Sequence, residues 1–477
     1  MIKINPRFVL ILYVLVVLFL IACLLAMLLT GGMDFTTSQP LTSPTSQVRE
    51  DNAASASHIQ IFDELWKFVR DNYVYEDYNG VDWDAIGRTY RARVEAGLSD
   101  EAFWRLMDDM VQELGDDHSY FLSPHAVARQ ERMRVGRLNY VGVGFTASPV
   151  VEEQYAVILQ VMPGSPADSA GLRPHDRILA IDGHPACCDA QGRDNLRRLS
   201  GERGSTVELR VQSPGEAART ERVTRAFIAG SMPVEKRRLE GDIGYLLIPN
   251  LWDELTVRRM REALKEMSAD GELRGLVVDM RLNRGGSSTV LQGALACFVD
   301  GELGHIVTRR KEYALHVPGV DVGGSQDVPL VILVGRQTRS FAEVFSGALQ
   351  EAGRARVVGR TTEGNVEVLY GYSFNDGSQA WIAYATFRPP SGADWEETGI
   401  IPDVEIPLDW HEFTTEDDPQ LAAAVELLTS ESEEAMFTLH GSMSGRRYQT
   451  PVGRIGRRPR APGRFPAFPD RLWRPAA

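Results

Sequence analysis

Residues 329–341 read Pro329-Leu-Val-Ile-Leu-Val-Gly-Arg-Gln-Thr-Arg-Ser-Phe341. The uncharged aliphatic run Leu330–Val334 has the length and composition of a strand buried on both faces. A polar loop, Gly335–Arg339, ends it, and from Phe341 to Glu351 the apolar residues return at helical spacing. The stretch is therefore one strand–loop–helix unit. The same grammar recurs on both sides. Gly275–Met280 is a buried strand that opens into Gly285-Gly286 and another helix, and Ile243–Ile248 is a strand followed by an amphipathic helix over Glu254–Met267. Arg356–Val358 and Ala380–Phe387 are further strands, the latter after an Asn375-Asp376-Gly377 hairpin turn. From about Met232 to Leu428 the chain is an α/β core.

Upstream the pattern changes twice. Between about Val135 and Ile228 short β-like runs dominate (Ala156–Val161, Arg177–Ile181, Val207–Val211, Arg222–Ala226), interrupted by Pro163–Leu172, where Pro166 suits the first turn of a short helix and Gly171 its end. From His58 to about Met133 the spacing predicts helices: Ile61, Phe62, Leu65, Phe68 and Val69 form one stripe, Ile86, Tyr90 and Val94 a second, and Phe103, Leu106, Met107, Met110, Val111 and Leu114 a third. The third stripe ends in the polar turn Gly115-Asp-Asp-His-Ser-Tyr120.

Three places could carry chemistry. Ser340 stands at a helix N-terminus, where free N–H groups and the helix dipole stabilise an oxyanion. Ser340-Phe-Ala-Glu343 also reads as a simple capping box. The double glycine Gly285-Gly286 exposes N–H groups and admits a close backbone approach, or is an ordinary tight connection. His118 is a candidate base, or a histidine favoured by a helix C-terminus. The other histidines lie outside these segments, and there is no HExxH or Walker loop; Gly142-Val-Gly144 lacks the third glycine of a dinucleotide fingerprint.

Taken together these segments resemble the carboxy-terminal processing (tail-specific) proteases. Tyr140–Phe145 and Gly164–Ile181 look like a PDZ domain with its carboxylate-binding loop. LVVDMRLNRGG (276–286), TRSFAEVFSGALQEAGRARVVG (338–359), DGSQAWIAYATFRPPSG (376–392) and ETGIIPDVEI (397–406) are similar to the family's blocks, in order, and LGDDHSYFLSP (114–124) to the close of its helical domain. The resemblance implies an α+β multidomain fold: a helical domain (58–133), a PDZ domain (134–230) and a ClpP/crotonase-like α/β serine-protease core (231–430). It implies Ser340 as nucleophile, with the N–H groups of Gly286 and Phe341 as oxyanion hole and those of Val141, Gly142, Val143, Gly144 and Phe145 binding a peptide carboxylate. Apolar side chains around Leu172 and Ile178 then favour an apolar last residue. No metal or organic cofactor is implied.

The family's usual base is a lysine in a TFGKG block. Here that block is Thr361-Thr-Glu-Gly-Asn365, which puts Asn365 at the lysine position, and no lysine follows Lys311. The tricorn-like branch instead takes a histidine from the helical domain and a glutamate from the block before the G-I-x-P-D motif. That carries over to His118 as base and Glu396 as its orienting carboxylate, with Glu397 and Asp117 as alternatives. A histidine needs no large shift to accept a proton near neutral pH, whereas a lysine does. The competing reading is an inactive relative that only binds peptides.

The chain has 477 residues, enough for about three domains, and is 43% hydrophobic and 24% charged. Gly441–Ala477 holds nine arginines against one acid (+8), which leaves -22 for the remainder of a chain at -14 overall. So acidic a body excludes nucleic acid as the main partner, and the Arg/Pro-rich tail (431–477) lacks the apolar density to fold. Four cysteines without zinc-ligand spacing exclude a disulfide scaffold. Phe8–Leu29 is uncharged and long enough to span a bilayer, with Lys3 and Arg7 before it. The positive-inside rule then predicts an anchor over residues 8–30, a cytoplasmic tip, and an extracytoplasmic body lifted by a flexible stalk (31–57). A cleaved signal peptide, or lipidation at Cys23 within Leu20-Ile-Ala-Cys23, is the alternative. The expected partners are unstructured protein tails with free apolar C-termini.

Overall fold

The computed structural model describes residues 44–116, 118–134, 140–187 and 195–430. The chain divides into two compact units, residues 1–56 and 57–477. Of the first, only the helical residues 44–56 are described. The apolar run Phe8–Leu29 lies outside the described residues, and among those described no helix is long and apolar enough to cross a membrane.

Helix α1 spans Pro44–Asn72, and the second unit opens with its residues 57–72, followed by α2 (Trp83–Glu95) and α3 (Asp100–Gln112). Asp82 caps α2 by accepting the Ala85 N–H at 2.9 Å. The expected stripes meet in one core, with Leu65, Val69, Phe103, Met107 and Met110 all at 0% exposure. One element was not foreseen: β1 (Tyr120–Leu122), followed by α4 (Pro124–Arg134). Three residues are too few for an alternating pattern to register.

The PDZ-like segment contains β2 (Tyr140–Gly142), β3 (Phe145–Val150), β4 (Tyr155–Val161), α5 (Pro166–Ser169), β5 (Arg177–Ile181), β6 (His184–Pro185), β7 (Thr206–Gln212), β8 (Arg219–Thr224) and β9 (Ala226–Ile228). Its sheet runs β3-β4-β5-β7-β8, with β6 on β5 and β2 paired separately to β9. Pro166 opens α5 and the Ser165 hydroxyl caps it. Val143, Phe145, Leu172 and Ile178 are buried together in its core.

The α/β core comprises β10 (Glu235–Leu239), β11 (Ile243–Leu247), α6 (Thr256–Ser268), β12 (Gly275–Asp279), α7 (Ser288–Leu295), β13 (Gly301–Thr308), β14 (Glu312–Val317), β15 (Leu330–Val334), α8 (Phe341–Glu351), β16 (Arg356–Gly359), β17 (Val368–Ser373), β18 (Gln379–Arg388), α9 (Trp395–Thr398) and β19 (Val404–Glu405). Strands β10-β11-β12-β15-β16-β19 form one sheet, parallel except for β10. Helices α6, α7 and α8 cover one face. On the other, Val157 and Leu159 of β4 pack with Ala424 and Leu428 of the helix over 419–430. A second sheet, β1-β18-β13-β14 with β17 also on β18, ties the helical segment to the core.

Candidate active site

Strands β12 and β15 are parallel neighbours with Asp279 opposite Leu333, so the loops after them leave the sheet at the same edge. Asn283 joins those loops. It is fully buried, its carboxamide oxygen accepts the Gly285 N–H at 2.9 Å, and its backbone carbonyl accepts the Arg339 N–H at 3.0 Å. The double glycine is sterically required. A Cβ on Gly285 (φ +86°) would stand 2.7 Å from the Ser340 Cβ, and one on Gly286 would stand 1.9 Å from the Leu251 carbonyl carbon. The Gly285 carbonyl and the Ser287 N–H both pair with Leu251, which fixes the peptide groups on either side of Gly286.

Ser340 differs from the other serine caps in the molecule. Ser99, Ser165 and Ser287 have ordinary extended backbones, with φ between -71° and -97°. Ser340 has φ +55° and ψ -130°. This is a costly conformation for a residue with a Cβ, and it marks a sharp strand-to-helix elbow rather than a routine cap. The Glu343 reach-back is present, its carboxylate accepting the Ser340 N–H at 3.0 Å. Glu343 is also fully buried, and its second oxygen accepts from Thr362 Oγ1 at 2.6 Å and the Gly364 N–H at 2.9 Å. Burial pushes its carboxyl pKa up. Phe341 is the first residue of α8, so its N–H belongs to the helix end beside Ser340.

His118 stands two residues ahead of β1, and Glu367 one residue ahead of β17. Both strands pair with β18, Tyr120 and Gly371 each lying opposite Trp381. That shared strand brings the two side chains together across 249 residues, and His118 Nδ1 lies 2.7 Å from a Glu367 oxygen. The Tyr75 hydroxyl also bonds Glu367. His118 Nε2 is buried and has no hydrogen-bond partner among the described residues. The peptide N–H of His118 is held by Asp116 at 3.0 Å.

The expected partner, Glu396, stands within 4.8 Å of the imidazole, but its carboxylate is held by a backbone N–H. It accepts the Val366 N–H at 2.7 Å, and burial together with the Glu367 charge raises its pKa to about 7. The carboxylate on the imidazole is Glu367, which nothing in the motif spacing had indicated. Glu397 is exposed, and Asp117 lies outside the described residues. Asn365, at the lysine position, is buried. Donor atoms of His118, Glu367 and Glu396 lie within 4.8 Å of one another, a set chemically able to hold a divalent cation. The Nδ1–Glu367 spacing is nonetheless that of a hydrogen bond.

In the PDZ-like segment, β2 pairs with β9 from Tyr140 to Gly142. The carbonyls of Val141, Val143 and Gly144 accept from Gly201, Ala167 and Met162. The Gly144 N–H bonds the Tyr140 hydroxyl. Leu172 and Ile178, expected around the last residue of a bound tail, sit in the core beneath this loop.

Comparison with known proteins agrees with this architecture. Residues 242–406 match peptidase family S41, residues 55–112 the tricorn protease C1 domain, and residues 157–213 a PDZ domain. The carboxyl-terminal-processing protease of Picosynechococcus sp. is 30% identical over 388 residues, covering 79% of this chain and 90% of that protein. The chloroplastic carboxyl-terminal-processing peptidase 2 of Arabidopsis thaliana is 27% identical, covering 73% of this chain and 68% of the relative. The solved structure of a photosystem II D1 C-terminal processing protease aligns with a TM-score of 0.55 at 28% identity, covering 74% of this chain and 93% of that one. On this fold and these similarities, the chain is a serine-type peptidase that belongs to the carboxyl-terminal-processing proteases of peptidase family S41.

Proposed function

We propose that this protein is a membrane-anchored, extracytoplasmic endopeptidase that captures free C-termini with its PDZ domain and cuts the tail with Ser340, served by His118 and Glu367. The observation that carries the catalytic assignment is the His118 ring: Nδ1 is held by a carboxylate at 2.7 Å while Nε2 is buried and unpartnered among the described residues. An imidazole tied at one nitrogen and open at the other suits a general base awaiting a nucleophile's proton. Glu367 fixes the tautomer with the proton on Nδ1 and stabilises the imidazolium that forms. Glu396 adds a second, modulating charge. Ser340 Oγ attacks the carbonyl carbon and passes its proton to His118 Nε2. The N–H groups of Gly286 and Phe341 receive the oxyanion, and the imidazolium then protonates the departing amine to leave an acyl-enzyme, which water hydrolyses.

A tail bound at Val141–Phe145 adds to the outer edge of β3 as an antiparallel strand. The uncharged run Phe8–Leu29 behind Lys3 and Arg7 supports the anchor and the outside location of the body. An active-site serine probe tests the core of the proposal. Wild type should be labelled, with Ser340→Ala and His118→Gln unlabelled. Absence of labelling in folded wild type would leave a peptide-binding protein without catalysis.

A further inference from the structure

His118, Glu367 and Glu396 come from three separate places in the chain, ahead of β1, ahead of β17 and within α9, yet one donor atom of each lies within 4.8 Å of the other two. The side chains of His118 and Glu367 are only 10% and 3% exposed. Glu367 is bonded by His118 Nδ1 at 2.7 Å and by the Tyr75 hydroxyl, and Glu396 by the Val366 N–H. Among the described residues no lysine or arginine pairs with either glutamate. Two carboxylates drawn together away from water, with no fixed cation between them, call for positive charge. A second observation points the same way: His118 Nε2 is buried without a partner among the described residues. We propose that His118, Glu367 and Glu396 form a binding site for one divalent cation of the zinc class, and that filling it switches the peptidase off. The switch rests on the reading of His118 as the base of Ser340; the binding does not.

Two carboxylates balance the charge of the ion, and the imidazole selects Zn²⁺ and its like over Mg²⁺ and Ca²⁺, which take oxygen shells. Around a tetrahedral zinc the ligand atoms stand about 3.3 Å apart, with water free to take the fourth position. The His118–Glu367 pair must then open by about 0.6 Å, and the widest separation in the cluster close by about 1.5 Å, which side-chain torsions supply. The consequence for the base follows from the ring itself. A neutral imidazole carries one proton and one acceptor lone pair. When the cation takes Nδ1, the ring proton passes through solvent to Nε2; when it takes Nε2, the lone pair there is used directly. Any proton on a carboxylate passes to solvent. In both arrangements Nε2 can no longer accept from Ser340 Oγ.

The test uses the full chain and Zn²⁺. Calorimetry should show one ion bound per chain, and X-ray absorption of the complex a single imidazole with oxygen neighbours at about 2.0 Å. Labelling of Ser340 by an active-site serine probe should fall at the same half-saturating zinc concentration and return when EDTA removes the ion. Glu396→Gln, whose amide oxygen still accepts the Val366 N–H, should keep the circular dichroism of wild type. It should bind zinc at least about tenfold more weakly, the smallest loss expected when the surroundings of a metal are altered. Sulfur or two imidazoles around the zinc, or wild-type affinity in folded Glu396→Gln, would overturn the site. Absence of zinc binding in a chain whose Ser340 is labelled would overturn this inference alone. Zinc held as described with labelling undiminished would overturn the switch and, with it, His118 as the base of Ser340.

Discussion

Ser340, His118 and Glu367 are proposed to work as a unit, so single losses should be severe and far from additive. Ser340→Ala should abolish turnover. His118→Gln and Glu367→Gln should each lower kcat/KM on the order of 10³-fold or more, since the first removes the base and the second its tautomer and orientation. Glu396→Gln should cost much less; a larger loss for Glu396→Gln than for Glu367→Gln in a fluorogenic peptide assay would reverse their roles. Glu396 should show itself in pH dependence instead. Its ionisation near pH 7 places a second negative charge beside the imidazole, which favours the imidazolium and opposes base catalysis. In Glu396→Gln the acid limb of kcat/KM against pH should therefore move to lower pH; movement to higher pH would sink this account. Stability supplies an independent readout. A folded-state pKa of about 7 against an ordinary 4.5 means that the fold favours the protonated acid. That contribution is fully present below about pH 4.5 and is lost as pH rises toward 7. Glu396→Gln should then match wild type near pH 4.5 and be more stable at pH 8, on the order of 2 kcal/mol, by urea denaturation.

At the scale of elements, two junctions hold the site. The β12–α7 turn is pressed against the β15–α8 elbow, and Gly285→Ala would combine a positive φ with a clash into the Ser340 Cβ. Activity should fall by more than the loss of folded protein explains, which circular dichroism at matched kcat measurements would separate; an active, normally folded Gly285→Ala would contradict the packing. The second junction is Arg281, which is 4% exposed and bonds Asp279, Asp418 and Gln420, joining the end of β12 to the helix over 419–430. Arg281→Met leaves two acids without their cation, a loss of about 3–5 kcal/mol. Thermal and urea unfolding should both register it, and an unchanged midpoint would mean that the charges are relieved elsewhere.

For the whole molecule, the PDZ-like sheet packs on the protease sheet through Val157 and Leu159, and His175 stacks on Trp410 at 4.1 Å. The proposed tail-binding loop is thus carried by a body in contact with the α/β core's sheet. Amidation of an unstructured test peptide should raise KM strongly, because backbone donors lose a charged acceptor; equal turnover would remove the PDZ domain from substrate selection. The proposed anchor is tested on cells. Protease added to intact spheroplasts should digest the body, while a protected body with an accessible N-terminus would invert the proposed topology.

The strand–loop–helix units around Gly285-Gly286 and Ser340 were legible in the residues because each is a local event. An aliphatic run, a glycine or polar loop and a helical stripe are written within about fifteen residues and need no distant partner to be read. The helical stripes and the short-stranded segment with its Pro166–Gly171 helix were legible for the same reason. Strand β1 and the hairpin of β13 and β14 were not, since a three-residue strand and a pair without a clear alternating pattern carry little periodic signal. The tertiary structure alone placed Glu367, rather than Glu396, on His118. Which carboxylate reaches that ring depends on the register of β1 and β17 along β18, and so on pairings between segments 249 residues apart that no local spacing encodes.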